Sequence, residues 1–261
     1  MSKVCAYCGI EAAMTKEHIW PKSLIQRWES KLKTYNSQTG RFYAGEPVIK
    51  DVCKNCNNVQ LSQLDQYLAE IYDDQLKEQV QAGNSVVFTY SYDLLLRSLL
   101  KISFNSCRAT GDDKIAIAAH HKVKDYILGV SKRPKGFSIR LQIVTPSKLI
   151  GEAGEVINNQ FSHNGMRCAK ISFTGTKNNK GIQNNKFQIR LIAIKSFWFY
   201  LVIPIHKYTQ QEKKRFIEEF KRWEIPPGVP IQPAHEKVVI PVEKTTYMHP
   251  LLFGTLLLSK H

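Results

Sequence analysis

Acidic residues are scarce in this chain: 22 Asp and Glu stand against 37 Lys and Arg, a formal net charge of +15 over 261 residues. Such an imbalance argues against a polycationic partner and for a polyanionic one, nucleic acid first. Long hydrophobic runs are missing as well. No stretch approaches the roughly 18 apolar residues of a membrane span, and Met1-Ser2-Lys3-Val4-Cys5 lacks the apolar core of a secretory leader. A cytoplasmic protein that does not enter a membrane is therefore expected. Internal repeats, a Walker-type phosphate loop and a Ser-His-Asp constellation are also absent, which leaves P-loop and triad chemistry without a basis. What is present is the composition of a folded protein, 43% hydrophobic and 23% charged, long enough to bury a substantial core.

In a reducing compartment the six cysteines are not expected to form a disulfide framework. Four of them fall in two C-x2-C pairs, Cys5 with Cys8 and Cys53 with Cys56. Two intervening residues let both sulfurs of a knuckle face one ion, so the four thiolates are expected to hold a structural Zn²⁺ tetrahedrally. Gly9 follows the first pair as the small residue that lets the knuckle turn. Cys107 and Cys168 stand alone in apolar, patterned stretches and read as core residues.

Between the knuckles lies Thr15-Lys16-Glu17-His18-Ile19-Trp20-Pro21. Pro21 disfavours helix at the residue before it, so Glu17 to Trp20 are expected to be extended or turned. Adjacent residues of a strand point to opposite sides, so Glu17 and His18 serve one site only where the strand ends or bends. Residues 22–50 read as an insertion: helical patterning over Ser23–Leu32, turn formers over Tyr35–Gly40 and a short strand at Arg41–Tyr43. Asn57 is expected to open a helix running to about Val80, with Leu61, Leu64, Leu68 and Ile71 on its apolar face.

The run C-x2-C, Glu-His-Ile-x-Pro, C-x2-C-Asn over residues 1–75 resembles the zinc-stabilised HNH endonucleases. The resemblance implies a ββα-metal module over residues 1–80, with His18 as general base and Glu17 and Asn57 as ligands of a catalytic divalent metal. The middle Asn of that family, which braces the loop under the base, has no counterpart in Pro47–Val52; Asp51 and Asn36 are the candidates for its place. Asp65 lies two helical turns beyond Asn57 on a similar face.

Residue chemistry leads the same way. Phosphodiester hydrolysis needs an activated water, charge neutralisation and help for the leaving oxygen. Neutral imidazole suits the first task, and Mg²⁺ or Mn²⁺ on oxygen ligands the others. A zinc deaminase would need His-x-Glu ahead of Pro-Cys-x-x-Cys, and a C2H2 finger a closely spaced His pair; neither is present. The expected function is a metal-dependent endonuclease of DNA, with RNA the second choice, in a restriction or anti-phage setting. The alternative is a non-catalytic, zinc-dependent nucleic-acid-binding or assembly protein.

Residues 81–261 are expected to form an α+β domain with an antiparallel sheet, serving recognition, sensing or assembly with a second copy or a protein partner. Tyr92–Cys107 carries a strong helical pattern with Arg97 and Lys101 on its polar side and is expected to be a central core helix, and Asp112–Leu128 continues as helix. His120 and His121 within it cannot share a helix face, so solvent exposure of one is expected rather than joint metal binding. From residue 137 the period becomes that of strands: 137–144, Arg167–Phe173, Phe187–Ile194 and Phe197–Ile203, the last two joined as a hairpin by Lys195-Ser196. A polar basic loop (176–186), an amphipathic helix from Gln210 to Trp223, a strand at Val238–Val242 and an apolar segment, Leu251–Leu258, complete the pattern.

Overall fold

The computed structural model describes residues 3–28, 33–36, 41–111, 113–150, 155–161, 165–171, 186–221 and 228–242, with the backbone alone over 33–36, 41–44, 147–150 and 157–161. Two-residue strands β1 (Lys3–Val4) and β2 (Glu11–Ala12) pair antiparallel around the first knuckle. Gly9 adopts φ 76°, and its N–H donates to the Cys5 carbonyl at 2.9 Å. Strand β3 (Met14–His18), helix α1 (Lys22–Ile25) and the hairpin β4 (Lys33–Asn36) and β5 (Arg41–Ala44) come next. Strand β6 (Val48–Cys53) then returns antiparallel to β3, with a register shift between Thr15 and Glu17. A helical run follows without a break: a π segment (Cys56–Leu61), α2 (Ser62–Ile71) and a second π segment (Tyr72–Leu76). Leu61, Leu64, Leu68 and Ile71 bury their side chains as the periodicity requires.

After β7 (Ser85–Thr89), α3 (Tyr92–Thr110) runs through the middle of the molecule and ends on left-handed Gly111. From Leu99 to Cys107 every residue of α3 is buried, polar ones included, the mark of a helix packed on all sides. The expected helix 112–128 divides into α4 (Lys114–His121) and α5 (Lys124–Leu128), with the Val123 N–H bonded back to the His120 carbonyl at 3.0 Å. Of the two adjacent histidines, His120 is buried and His121 exposed.

Strands β8 (Ser138–Ile143), β11 (Met166–Ile171), β12 (Phe187–Ile194), β13 (Phe197–Pro204) and β14 (Val229–Ile231) form one antiparallel sheet in the order β11-β12-β13-β8-β14. Strands β9 (Ser147–Ile150) and β10 (Val156–Phe161) pair separately. Helix α6 (Gln210–Lys221) covers one face of the sheet, and β15 (Lys237–Pro241) pairs with β7. Side chains alternate across the sheet. Ile192, Ile194, Phe197, Phe199 and Leu201 join α3 and the cysteine-bearing segment in one core, while Ile189, Leu191, Trp198 and Tyr200 meet Phe216 and Phe220 of α6 in the other.

The architecture is α+β, and the larger core is continuous across residue 80. Trp223, Ser172 and Phe173 of the expected strand, residues 176–185 of the basic loop and Leu251–Leu258 lie outside the described residues.

His120 stacks on Phe104, ring centroids 5.5 Å apart, and its Nδ1 lies 2.6 Å from the Ala116 carbonyl oxygen. Burial pushes its pKa down from 6.5 to about 4. The unfolded chain therefore binds the extra proton between those values, and stability rises with pH across that window. His120→Gln is expected to remove a slope of up to about 1.4 kcal/mol per pH unit between pH 4 and 6.5, checked by urea unfolding at pH 5 and 7.

Candidate metal centre and adjoining histidine

The sulfurs of Cys5, Cys8, Cys53 and Cys56 lie within 4.8 Å of one another, the one group of three or more such ligands among the described residues. Cys8 and Cys53 Sγ are 3.8 Å apart, and a tetrahedral ion with Zn–S bonds of ~2.3 Å sets sulfurs about 3.8 Å apart. The Cys53 N–H points at Cys5 Sγ over 3.4 Å. Burial pushes the Cys5 thiol up, but N–H groups of Cys53, Cys8 and Tyr7 outweigh it and bring the pKa to about 7. Cys56 is pushed well up, by burial first and its sulfur neighbours second. Four crowded thiols that cannot all ionise unaided are a donor set suited to a zinc ion.

Strand β3 leads from this cluster to Glu17 and His18, and the two side chains part company. Glu17 is buried against α3, its Oε1 2.8 Å from Lys101 Nζ and 3.1 Å from Asn105 Nδ2. Burial holds its carboxyl above the usual range, against the pull of Lys101. His18 closes the strand on the other side, partly exposed, with Nε2 2.7 Å from Glu46 Oε2. A neutral imidazole in that contact carries its proton on Nε2, which leaves Nδ1 as the acceptor.

Lys101 corrects the reading of α3. Its side chain is 1% exposed and it bonds Asp65 as well as Glu17, so it lies in the interior and not on a polar face. The reason is charge pairing: two carboxylates from β3 and α2 make burial of an ammonium tolerable. Asp65 thus reaches Glu17 through Lys101.

Asn57 does not cap a helix; the helical run has already begun, and its Nδ2 donates to Thr15 Oγ1 at 2.8 Å and to the Lys16 carbonyl at 3.0 Å. Asp51 bonds Arg108 instead, accepting from its Nε at 2.9 Å, and the side chain of Asn36 lies outside the described residues. The bracing comes from Asn105 of α3. Its Nδ2 donates to the His18 carbonyl and to Glu17 Oε1, both at 3.1 Å, while its Oδ1 accepts from Tyr7 Oη at 2.7 Å and Arg108 Nη2 at 3.1 Å. Because Tyr7 sits between Cys5 and Cys8, Asn105 ties β3 to the first knuckle. Asn105 and Glu46 carried no signal in the sequence: one is a polar residue in a helical run, the other a carboxylate ahead of a proline.

For a hard divalent ion, Glu17 does not fit as placed, since a buried ammonium already neutralises it and would repel a second cation. Glu17 and Asn57 face different partners, one α3 and the other the β3 main chain. The cysteine cluster is the metal site that the described geometry supports.

No family model, curated protein or solved structure matches the chain. Its chemistry is therefore read from these residues alone.

Proposed function

We propose that the chain is an HNH-type endonuclease that hydrolyses phosphodiester bonds in DNA, with His18 as general base, in restriction or anti-phage defence. The observation that carries this reading is the setting of His18: a partly exposed imidazole at a strand end, oriented through Nε2 by Glu46 and fixed through its carbonyl by Asn105. The antiparallel β3–β6 pair carries it, the following helix and the four clustered cysteines belong to the same segment, and the net charge of +15 favours a polyanion. Nδ1 takes the proton of an attacking water, and Glu46 stabilises the imidazolium that results. Mg²⁺ or Mn²⁺ belongs to this reading as the charge-neutralising ion, with Asn57 the ligand that stays compatible with it; the hold of Lys101 on Glu17 leaves the second ligand open.

That same hold favours a second reading, a zinc-stabilised nucleic-acid-binding or assembly protein without catalysis. Plasmid DNA incubated with protein and Mg²⁺ or Mn²⁺ separates the two. Cleavage is expected, with His18→Ala slower by about 10²–10⁴ and Glu46→Gln showing a smaller loss at unchanged thermal stability. Wild type and His18→Ala equally inert, both binding DNA, would decide for the binding protein.

A further inference from the structure

Away from the cysteine cluster, a groove of about 540 Å³ opens where the start of α3, the segment before β8, the β8–β14 edge and α6 meet. Core residues Phe137, Ile139 and Ile231 lie beneath it almost closed off from solvent, so its apolar floor is the surface of Ile217, Pro134, Pro230 and Pro233, and the charges lining it are of one sign: Arg133, Lys135, Arg140 and Lys213, with no carboxylate among the described residues. Small-molecule sites typically have this size, apolar bulk and few convergent polar groups.

Two of the four cations belong to the walls. Arg133 clamps Asp93 with bonds of 2.8 and 2.6 Å and lies over the Tyr92 ring at 4.7 Å. Arg140 Nη2 donates to the Gly228 carbonyl at 2.6 Å. The other two have no carboxylate facing them among the described residues. Lys213 is also half-buried, and desolvation alone holds its ammonium below the usual lysine range. An anion beside it would relieve that cost.

The walls are held in place by close backbone approach. Gly136 has φ 94°, and a Cβ there would stand 2.1 Å from Tyr208 Oη; Gly228 has φ 64°, and its Cβ would stand 2.2 Å from the Leu141 carbonyl oxygen. Neither position has room for a side chain, so both segments pack closely against their neighbours beside the groove.

We propose that this groove binds a nucleotide unit, its phosphate held by Lys135 and Lys213 and its base laid on the apolar floor. A bare inorganic anion would leave the floor unused, and an uncharged ring would leave the lysines unpaired. The unit has two sources, a free nucleotide or one residue of a single strand, and the chemistry of recognition is shared.

The test uses full-length, zinc-loaded His18→Ala protein, so that binding is read without cleavage and independently of whether the chain is a nuclease. AMP, adenosine, inorganic phosphate and a ten-nucleotide single strand are titrated by calorimetry or fluorescence anisotropy. AMP is expected to bind more tightly than adenosine or phosphate. Lys213→Glu is expected to weaken AMP at least 10-fold, whereas Lys122→Glu, the same charge change at an exposed position outside the groove, leaves it within 2-fold. Tighter binding of the strand in competition with AMP assigns the groove to a strand, and binding of AMP alone assigns it to a free nucleotide. Equal effects of Lys213→Glu and Lys122→Glu, phosphate binding as tightly as AMP, or no binding of AMP and strand would each overturn the proposal. If Lys213→Glu melts below the wild type, Lys213→Gln and Lys135→Gln carry the comparison.

Discussion

Withdrawal of the metal from Cys5, Cys8, Cys53 and Cys56 by a strong chelator is expected to unfold the amino-terminal segment up to about Leu76. The local hydrogen bonding there is thin: β1 and β2 are two residues long each, and β3 and β6 are paired through an irregular register. Short isolated strand pairs are marginal at best in water, so the order of this segment rests on the cluster and on α3. Structural zinc supplies on the order of 10–16 kcal/mol of apparent binding free energy in small domains, which is folding free energy where the empty site does not form. Elemental analysis should find one zinc per chain, and Cys53→Ser should act in the same direction as chelation. Circular dichroism and thermal melting provide the check. A chelated protein with the melting temperature of the untreated one would show that the cysteine cluster is not the frame.

Lys101→Met is the second large effect, a destabilisation of about 3–5 kcal/mol. Methionine fills most of the volume but removes the cation from between Glu17 and Asp65, leaving a carboxylate that is 3% exposed without its counter-charge. The sign with pH follows. Without Lys101, Glu17 gains a strongly raised folded-state pKa, so its neutral form is tolerated at low pH and the penalty grows as pH rises through that value. Urea unfolding should find the deficit smaller at pH 5 than at pH 8, and Glu17→Gln in the same chain should recover most of it. A deficit below 1 kcal/mol at both pH values would mean that the buried pair holds nothing in place.

The sequence made legible whatever depends on short-range pattern. Two C-x2-C spacings announced the cluster, alternation announced β12 and β13 with Lys195-Ser196 between them, and i, i+3, i+4 leucines announced α2. That α3 forms a central core helix was legible from its apolar pattern; the burial of its polar side was not, because Arg97 and Lys101 one turn apart read as a solvated stripe. Only the arrival of Glu17 and Asp65 from elsewhere in the chain makes an interior lysine tolerable. The same distance hid Asn105, which shows no pattern among its neighbours and acquires its role through four partners from three segments. Asn57 was placed correctly after the second knuckle yet misread as a cap, since the helix begins before it. The β7–β15 pair joins Ser85–Thr89 to Lys237–Pro241, strands far apart along the chain, and lies beyond any periodicity.

Asn105 and Lys101 also bear on inheritance. The segment that carries the cysteines and His18 looks portable, short and self-framed, the kind of cassette that recombination moves between proteins. Yet the strand that carries His18 leans on two side chains of α3, encoded beyond any boundary drawn at residue 80. Transplanting residues 1–80 alone would carry the imidazole and its metal frame but leave behind the amide that holds its main chain and the cation that balances its buried acid. Here the heritable unit is the segment together with its helix.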